Sequence, residues 1–516
     1  MNRYWSILIC CAALLGGCRT DLAKIKRECS FADQMPLIKP DYSGITIPPN
    51  IAPLHFSLQD CSTACIAEIS SDNGSPILVK GKKGKFLIDD KNWKKLLSKN
   101  PGNPLHVSIY ARTKKGKWFR YRTVENTIAR EPIDKYCTYR LLNFQYSYWR
   151  DLRECERDLT SFKERELLST MNYSQYDQLK CINCHIPMNN DPSRFTLQLR
   201  SSTGGVETLI AHDDSLALLS SRIGYVSWHP GGKYLAFSSY KVQQYFHSVG
   251  KQFIDVYDND SYILIYDVLN RKIISLPQLT EQGILNTWPA WSADGRYLYY
   301  CSAPVLWSDN GEPPRNFNKT RYNLLRIAYD TDKNIWGDVD TVLTPEQTGL
   351  SIAMPRISPD NKFCLFCMQN YGPYPYIDPS SDLYLMDLKT GQYRKLDINS
   401  EYNESYHSWS QNGRWIIFSS RRGGGIFTRL YISHIDSTGN VSKAFILPQN
   451  DPEFYDSFLK CYNVAELAVA PVSFSQQQLH RAIQSKNTVK VALPPELLKR
   501  SAGNISNEWS PASSRE

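Results

Sequence analysis

Four stretches of the chain superpose on one another: Trp228-His-Pro-Gly-Gly-Lys-Tyr-Leu-Ala-Phe, Trp291-Ser-Ala-Asp-Gly-Arg-Tyr-Leu-Tyr-Tyr, Ile357-Ser-Pro-Asp-Asn-Lys-Phe-Cys-Leu-Phe and Trp409-Ser-Gln-Asn-Gly-Arg-Trp-Ile-Ile-Phe. Each reads as a strand end, a polar Gly/Asn/Asp turn and an alternating strand. A second hairpin follows in every unit: Ser261-Tyr-Ile-Leu-Ile-Tyr-Asp, Asn323-Leu-Leu-Arg-Ile-Ala-Tyr-Asp, Asp382-Leu-Tyr-Leu-Met-Asp-Leu and Arg429-Leu-Tyr-Ile-Ser-His-Ile. Two hairpins make a four-stranded antiparallel sheet. Such sheets repeated 52–66 residues apart, by subtraction of their first positions, must bury their faces on one another. This predicts an all-β chain built on a β-propeller.

Two further blades are expected around these four. Cys137-Thr-Tyr-Arg-Leu-Leu with Leu152-Arg-Glu-Cys-Glu-Arg-Asp-Leu resembles an outer hairpin, and Gln178-Leu-Lys-Cys-Ile-Asn-Cys an inner strand. Asn463-Val-Ala-Glu-Leu-Ala-Val-Ala is placed to close the ring against the first blade. The expected propeller spans 133–475 with six blades, seven being the alternative. Residues 476–516 are polar, interrupted by Pro494 and Pro495, and read as a tail.

The repeated turns closely resemble the W-S-P-D-G-K repeat of TolB-like propellers, most strongly over about 220–450. The whole chain, including Pro48-Pro-Asn-Ile-Ala-Pro, resembles a family of exported propeller lipoproteins with an internal C-x-x-C-H. The resemblance implies a propeller and a haem site, and brings no defined reaction.

Residues 1–17 read as an export signal with a short basic start and an apolar stretch from Tyr4 to Leu15. Leu15-Gly16-Gly17-Cys18 resembles a bacterial lipobox, so Cys18 is the expected lipidation site and the lipid the expected membrane partner. Arg19 follows where inner-membrane lipoproteins usually carry Asp, which favours the outer membrane, facing the periplasm or the surface. Residues 18–42 read as a linker and 43–130 as a small β-sandwich-like domain with one helix near Asp90–Leu97. That domain holds the chain's basicity: fourteen Lys and Arg lie between Lys80 and Arg122, against Asp89 and Asp90 alone. The remainder is near neutral, although the whole chain carries +9. Outside the cytoplasm such charge suits anionic lipid or acidic glycan, not nucleic acid.

Residues 181–185 read Cys-Ile-Asn-Cys-His, the pattern to which haem c is attached. Cys181 and Cys184 are the expected thioether positions and His185 the expected iron ligand. If the motif lies where an inner strand enters its first turn, His229 sits on the same propeller face one blade away. His229 is therefore a candidate distal ligand, with Met188 the competing thioether and His212 and Met354 further candidates. Cys364 and Cys367 fall three apart on a strand and point to opposite faces, as packing residues.

The loops 241–258, 303–322 and 369–380 all follow a repeat's second strand and are expected to cluster. Their aromatics suit a glycan or an envelope protein partner, or packing across the propeller mouth. No G-x-S-x-G elbow is present, and only about forty residues follow the ring, too few for a hydrolase domain. The expected function is electron transfer or redox sensing by a haem-bearing lipoprotein, without enzymatic activity. The alternative is a haem-free scaffold that binds an envelope partner.

Overall fold

The structure is a computed structural model; it describes residues 22–497 apart from 61–62, 145–150, 173–178, 202–205, 221–222, 248–253, 308–313 and seven positions between 486 and 496. Six sheets of a β-propeller follow one another around a common axis. Blade 2 holds Leu179–Met188, Asp191–Ser201, Val206–His212 and Ser215–Leu219; blade 3 holds Gly224–Trp228, Tyr234–Phe246, Ile254–Asp267 and Lys272–Ile274. Blade 4 holds Ile284–Trp291, Tyr297–Pro304, Asn323–Asp330 and Ile335–Leu343. Blade 5 holds Ser351–Ile357, Phe363–Gln369, Asp382–Asp387 and Tyr393–Lys395, and blade 6 Glu404–Trp409, Trp415–Ser420, Arg429–His434 and Phe445–Ile446.

Blade 1 is assembled from both ends of the propeller. Tyr136–Asn143, Arg153–Asp158 and Glu164–Ser169 supply three strands, and Lys460–Ala468 adds the innermost one antiparallel to Tyr136–Asn143. A ring closed this way exposes no inner sheet edge.

The repeated residues have identifiable work. The hydroxyls of Ser292, Ser358 and Ser410 accept the backbone N–H of Tyr297, Phe363 and Trp415 and donate to Asp294, Asp360 and Asn412, which fixes each hairpin turn. His229 takes the same position in blade 3, where its Nδ1 accepts from Gly231 N at 3.1 Å. The indole of Trp228 donates to Ile186 O and that of Trp409 to Arg356 O, each tying its blade to the one before.

The N-terminal unit has a seven-stranded and a three-stranded sheet with helix Asp90–Ser98 between strands of the two. Asp89 caps that helix, and Trp93 is buried with its indole on Ile51 O. This core is continuous with the propeller: Ile47, Trp93, Trp415, Leu430 and Tyr462 belong to one cluster, and Trp415 donates to Glu131 O. The unit therefore stands on blades 6 and 1.

Two segment readings need correction. Residues 22–39, read as linker, contain helix Leu22–Glu28, whose Ile25 packs with Ile66 and Tyr110, and strands Ser30–Phe31 and Ile38–Lys39. The tail is also partly built into the fold. Helix Gln476–Gln484 is capped by Ser475 and buries Leu479, while Thr488–Val489 adds a fifth strand to blade 2. The sequence signal was weak because each piece buries only one or two apolar residues. Residues 1–21, including Cys18, lie outside the described residues.

Candidate functional site

Every inner strand breaks its pairing at the same place. Ladder pairing skips two residues in each: 184–185, 225–226, 288–289, 354–355, 406–407 and 464–465. In five of these bulges the first skipped residue is left-handed: Tyr225 (φ 47°), Trp288 (φ 53°), Met354 (φ 53°), Tyr406 (φ 42°) and Val464 (φ 48°). Such a backbone costs about 1–2 kcal/mol per non-glycine residue and is an outlier for β-branched valine. Five at one register mark a built feature, since a bulge re-aims the side chain it carries.

These five side chains converge on the axis, where they line a cavity that is partly open to solvent. Its wall is mostly apolar and aromatic. Tyr225 lies over Trp288 with ring centroids 3.8 Å apart. One ion pair interrupts the apolar lining: Arg356 of blade 5 and Glu466 of blade 1 meet at 2.5 Å. The Glu466 carboxyl is raised by burial, and Arg356 opposes that shift. His407 also lines the cavity, with its Nε2 3.0 Å from Leu365 O and Nδ1 3.7 Å from Cys367 Sγ.

The insertion loops do cluster, over one end of this cavity. The long hairpin of blade 3 reaches the 369–380 loop of blade 5, where Tyr371 donates to Asp255 and Tyr374 to Asp258. Trp288 donates to Pro373 O, Tyr374 lies 6.3 Å from Tyr225 and Tyr376 stacks on Tyr406. Of the loop aromatics, Tyr374 and Tyr376 thus close the axis from inside, whereas Tyr245 and Phe246 stay exposed.

The cysteine–histidine motif falls on the blade 2 bulge, not on a turn. Strand Leu179–Met188 runs on to a reversal at Asn189 and Asn190, both left-handed. In register, His185 is the counterpart of His407, and Met188 is the counterpart of His229. The His185 ring is 2% exposed, stacked on Phe195 at 5.0 Å, with Nδ1 3.9 Å from Glu154 across the seam with blade 1. Arg140 of blade 1 donates to Ile182 O beside it. Cys181 is a free, half-buried thiol.

The structure does not bring the candidate ligands together. His185 faces blade 1, whereas His229 faces blade 4, edge-on to Trp291 at 4.8 Å. Met188 packs with Trp228, its sulfur near the turn glycine Gly232. His212 pairs with Asp213 at a blade 2 turn, and Met354 belongs to the axial cavity. The pairing of His229 with His185 assumed that the motif sat at a turn; it lies at the bulge, three residues before the turn. As a test of haem c, the donor set fits: both His185 ring nitrogens lack a hydrogen-bond partner. The space does not, because Phe195 and the blade 1 seam enclose the ring. Among the described residues no group of three or more His, Cys, Asp or Glu is placed to hold a metal ion.

Burial sets the charges around this seam. Glu154 is pushed up to about 8, with Arg140 opposing and Glu466 adding to the shift, and His185 is pushed down to about 4. At the cap, burial raises Asp258 to about 7. His55 and His407 are also depressed, to about 4 and about 3. A histidine depressed by folding gains stability as pH rises to its unfolded value near 6.5, and the gain is then complete. A carboxyl raised by folding loses stability as pH climbs from its unfolded value to its folded one. Between pH 6.5 and 8 only the carboxyl trend remains. Melting temperature is expected to fall across this window, by a stability loss on the order of 1–2 kcal/mol from Glu154. Glu154→Gln is expected to flatten the profile; an unchanged slope in that variant contradicts the assignment.

Sequence reasoning missed the axial cluster, naming only Met354 of it and as a candidate iron ligand. The available signal was a large side chain three residues before each repeated Trp or Ile: Tyr225, Trp288, Met354 and Tyr406. Arg356 and Glu466 carried none.

The fold has counterparts among solved structures. TolB from Acinetobacter baumannii aligns at 15% identity over 71% of this chain and 79% of its own, with a TM-score of 0.40. An oligogalacturonate lyase from Vibrio parahaemolyticus aligns at 10% identity over 74% and 100%, TM-score 0.33. A putative 6-phosphogluconolactonase from Bacteroides uniformis aligns at 11% over 79% and 99%, TM-score 0.31. No family model and no curated protein matches the chain.

Proposed function

We propose that this propeller is a recognition protein of the bacterial cell envelope, held to the outer membrane by lipid on Cys18, that takes a small ligand in its axial cavity. The observation that carries the reading is the ring of left-handed bulge residues aimed at the axis. Backbone strain repeated around one cavity is retained where it positions contacts. The groups on that wall able to act as acid or base are engaged: Glu466 with Arg356, and His407 with Leu365 O and Cys367. That arrangement favours binding over proton transfer. Export and anchoring rest on the signal-like start. Among the described residues no helix is long and apolar enough to cross a membrane.

Trp288 provides the reporter. Titration with the low-molecular-weight fraction of an envelope extract is expected to change tryptophan emission saturably. Trp288→Phe keeps an aromatic wall and is expected to abolish the change. Emission that stays flat in the parent protein, or responds equally in the variant, removes the axial site.

The second reading is a covalent haem c on Cys181 and Cys184 with His185 as ligand, serving electron transfer or redox sensing. Its specific support is the pair of unpartnered His185 nitrogens. It requires the blade 2 inner strand to leave Phe195 and the blade 1 seam.

A further inference from the structure

Resting on the axial-site reading, we infer that the ligand of the cavity is an uncharged sugar ring. The wall offers two chemistries. Tyr225, Trp288 and Tyr406 bring aromatic rings to the axis from blades 3, 4 and 6. Aromatic faces pack well against the C–H face of a sugar while leaving its hydroxyl edge free. The polar element is the Arg356–Glu466 pair, and it contains both a donor and an acceptor.

Each member of that pair keeps unused capacity. One guanidinium nitrogen meets Glu466 Oε1, and no other acceptor for the Arg356 side chain occurs among the described residues. Glu466 Oε2 receives no hydrogen bond among the described residues. A guanidinium can donate from several N–H groups in one plane, and a carboxylate accepts at both oxygens. Vicinal hydroxyls both donate and accept, so they match such a pair.

The pair also sets the charge of the ligand. Arg356 and Glu466 compensate one another, so a carboxylate or ammonium group brought in would remain uncompensated in a partly enclosed cavity. A neutral polyhydroxylated ring carries no such cost.

The test is isothermal titration of the full chain with N-acetylglucosamine, methyl glucoside and cellobiose, beside galacturonate and glucosamine as charged counterparts. At least one neutral sugar is expected to bind, at least tenfold more tightly than either charged one. The double variant Arg356→Met/Glu466→Met removes both charges together, so neither is left buried alone. It is expected to weaken that binding at least tenfold while keeping a cooperative thermal transition. Tyr393→Ala, on the outermost strand of blade 5, is expected to bind as the parent does.

Equal or tighter binding of a charged sugar overturns the inference, as does neutral-sugar binding indifferent to the double variant. If no sugar binds while Trp288 emission still answers the envelope fraction, the sugar class falls and the axial site stands. If both are silent, both fall.

Discussion

A chain ending at residue 457 is expected to lose its cooperative fold. The deletion removes the inner strand Lys460–Ala468, of which every residue but Lys460 is buried. Its antiparallel pairing with Tyr136–Asn143 closes the ring, and Cys137, Tyr139 and Leu141 pack in the same core. Burying one large side chain is worth about 1.5–3 kcal/mol, so Tyr462 and Leu467 with their neighbours approach the 5–15 kcal/mol that stabilises a typical domain. The open edge would offer itself to other chains. Interblade links go with it, among them the Asn190 bond to Leu467 O, the Leu467 N–H bond to Ser408, the Arg356–Glu466 pair and the Arg429 bond to Lys460 O.

The companion truncation sets the scale. A chain ending at residue 475 loses helix Gln476–Gln484 and the added strand of blade 2, but keeps all six four-stranded sheets. It is expected to remain soluble and melt only a few degrees lower, by about 2–3 kcal/mol for the buried Leu479 and the pairing of Thr488–Val489. Urea unfolding of the two chains checks both results. A single cooperative transition in the shorter chain contradicts the closure described above.

His185→Leu is expected to stabilise the protein. The imidazole is sealed between Phe195 and Glu154 with neither nitrogen hydrogen-bonded, and a buried polar group left unsatisfied costs about 1–3 kcal/mol. Leucine has similar bulk, carries no polar atom and suits the surrounding cluster of Ile182, Phe195, Leu197 and Leu168. The expected gain is about 1–2 kcal/mol in urea unfolding at pH 7. His407→Leu, at the equivalent register position, is expected to destabilise instead, because it gives up the bond to Leu365 O across the seam with blade 5. A haem ligand predicts the reverse for His185: its loss would weaken the folded state by removing the cofactor. Destabilisation by His185→Leu therefore contradicts the seam role.

The difference between the two histidines shows what the sequence could and could not convey. The repeat around Trp228, Trp291, Ile357 and Trp409 located the turns because hairpin chemistry is local: a hydroxyl and an Asp or Asn two residues on fix the reversal. The closing strand was legible as an apolar segment near the end, placed to pair with the first blade. The bulges were not. An extra residue in a strand leaves no composition signal, yet it shifts every later side chain by one position. Strand Leu179–Met188 also runs on past the motif, so Cys184 and His185 lie mid-strand, and Met188, not His185, is the counterpart of His229. Arg356 and Glu466 lie 110 positions apart in sequence and meet only because blade 1 is built from both chain ends. No local pattern encodes such a contact.

In the proposed reading the Cys-Ile-Asn-Cys-His stretch serves the seam between blades 1 and 2 while recognition falls to the axis. Its most direct test is the absorption spectrum of the full chain purified from cells that attach haem c to exported proteins. A colourless protein with free Cys181, unchanged in spectrum by Cys184→Ser, is the expected result. A covalent haemochrome that disappears in Cys184→Ser would contradict it.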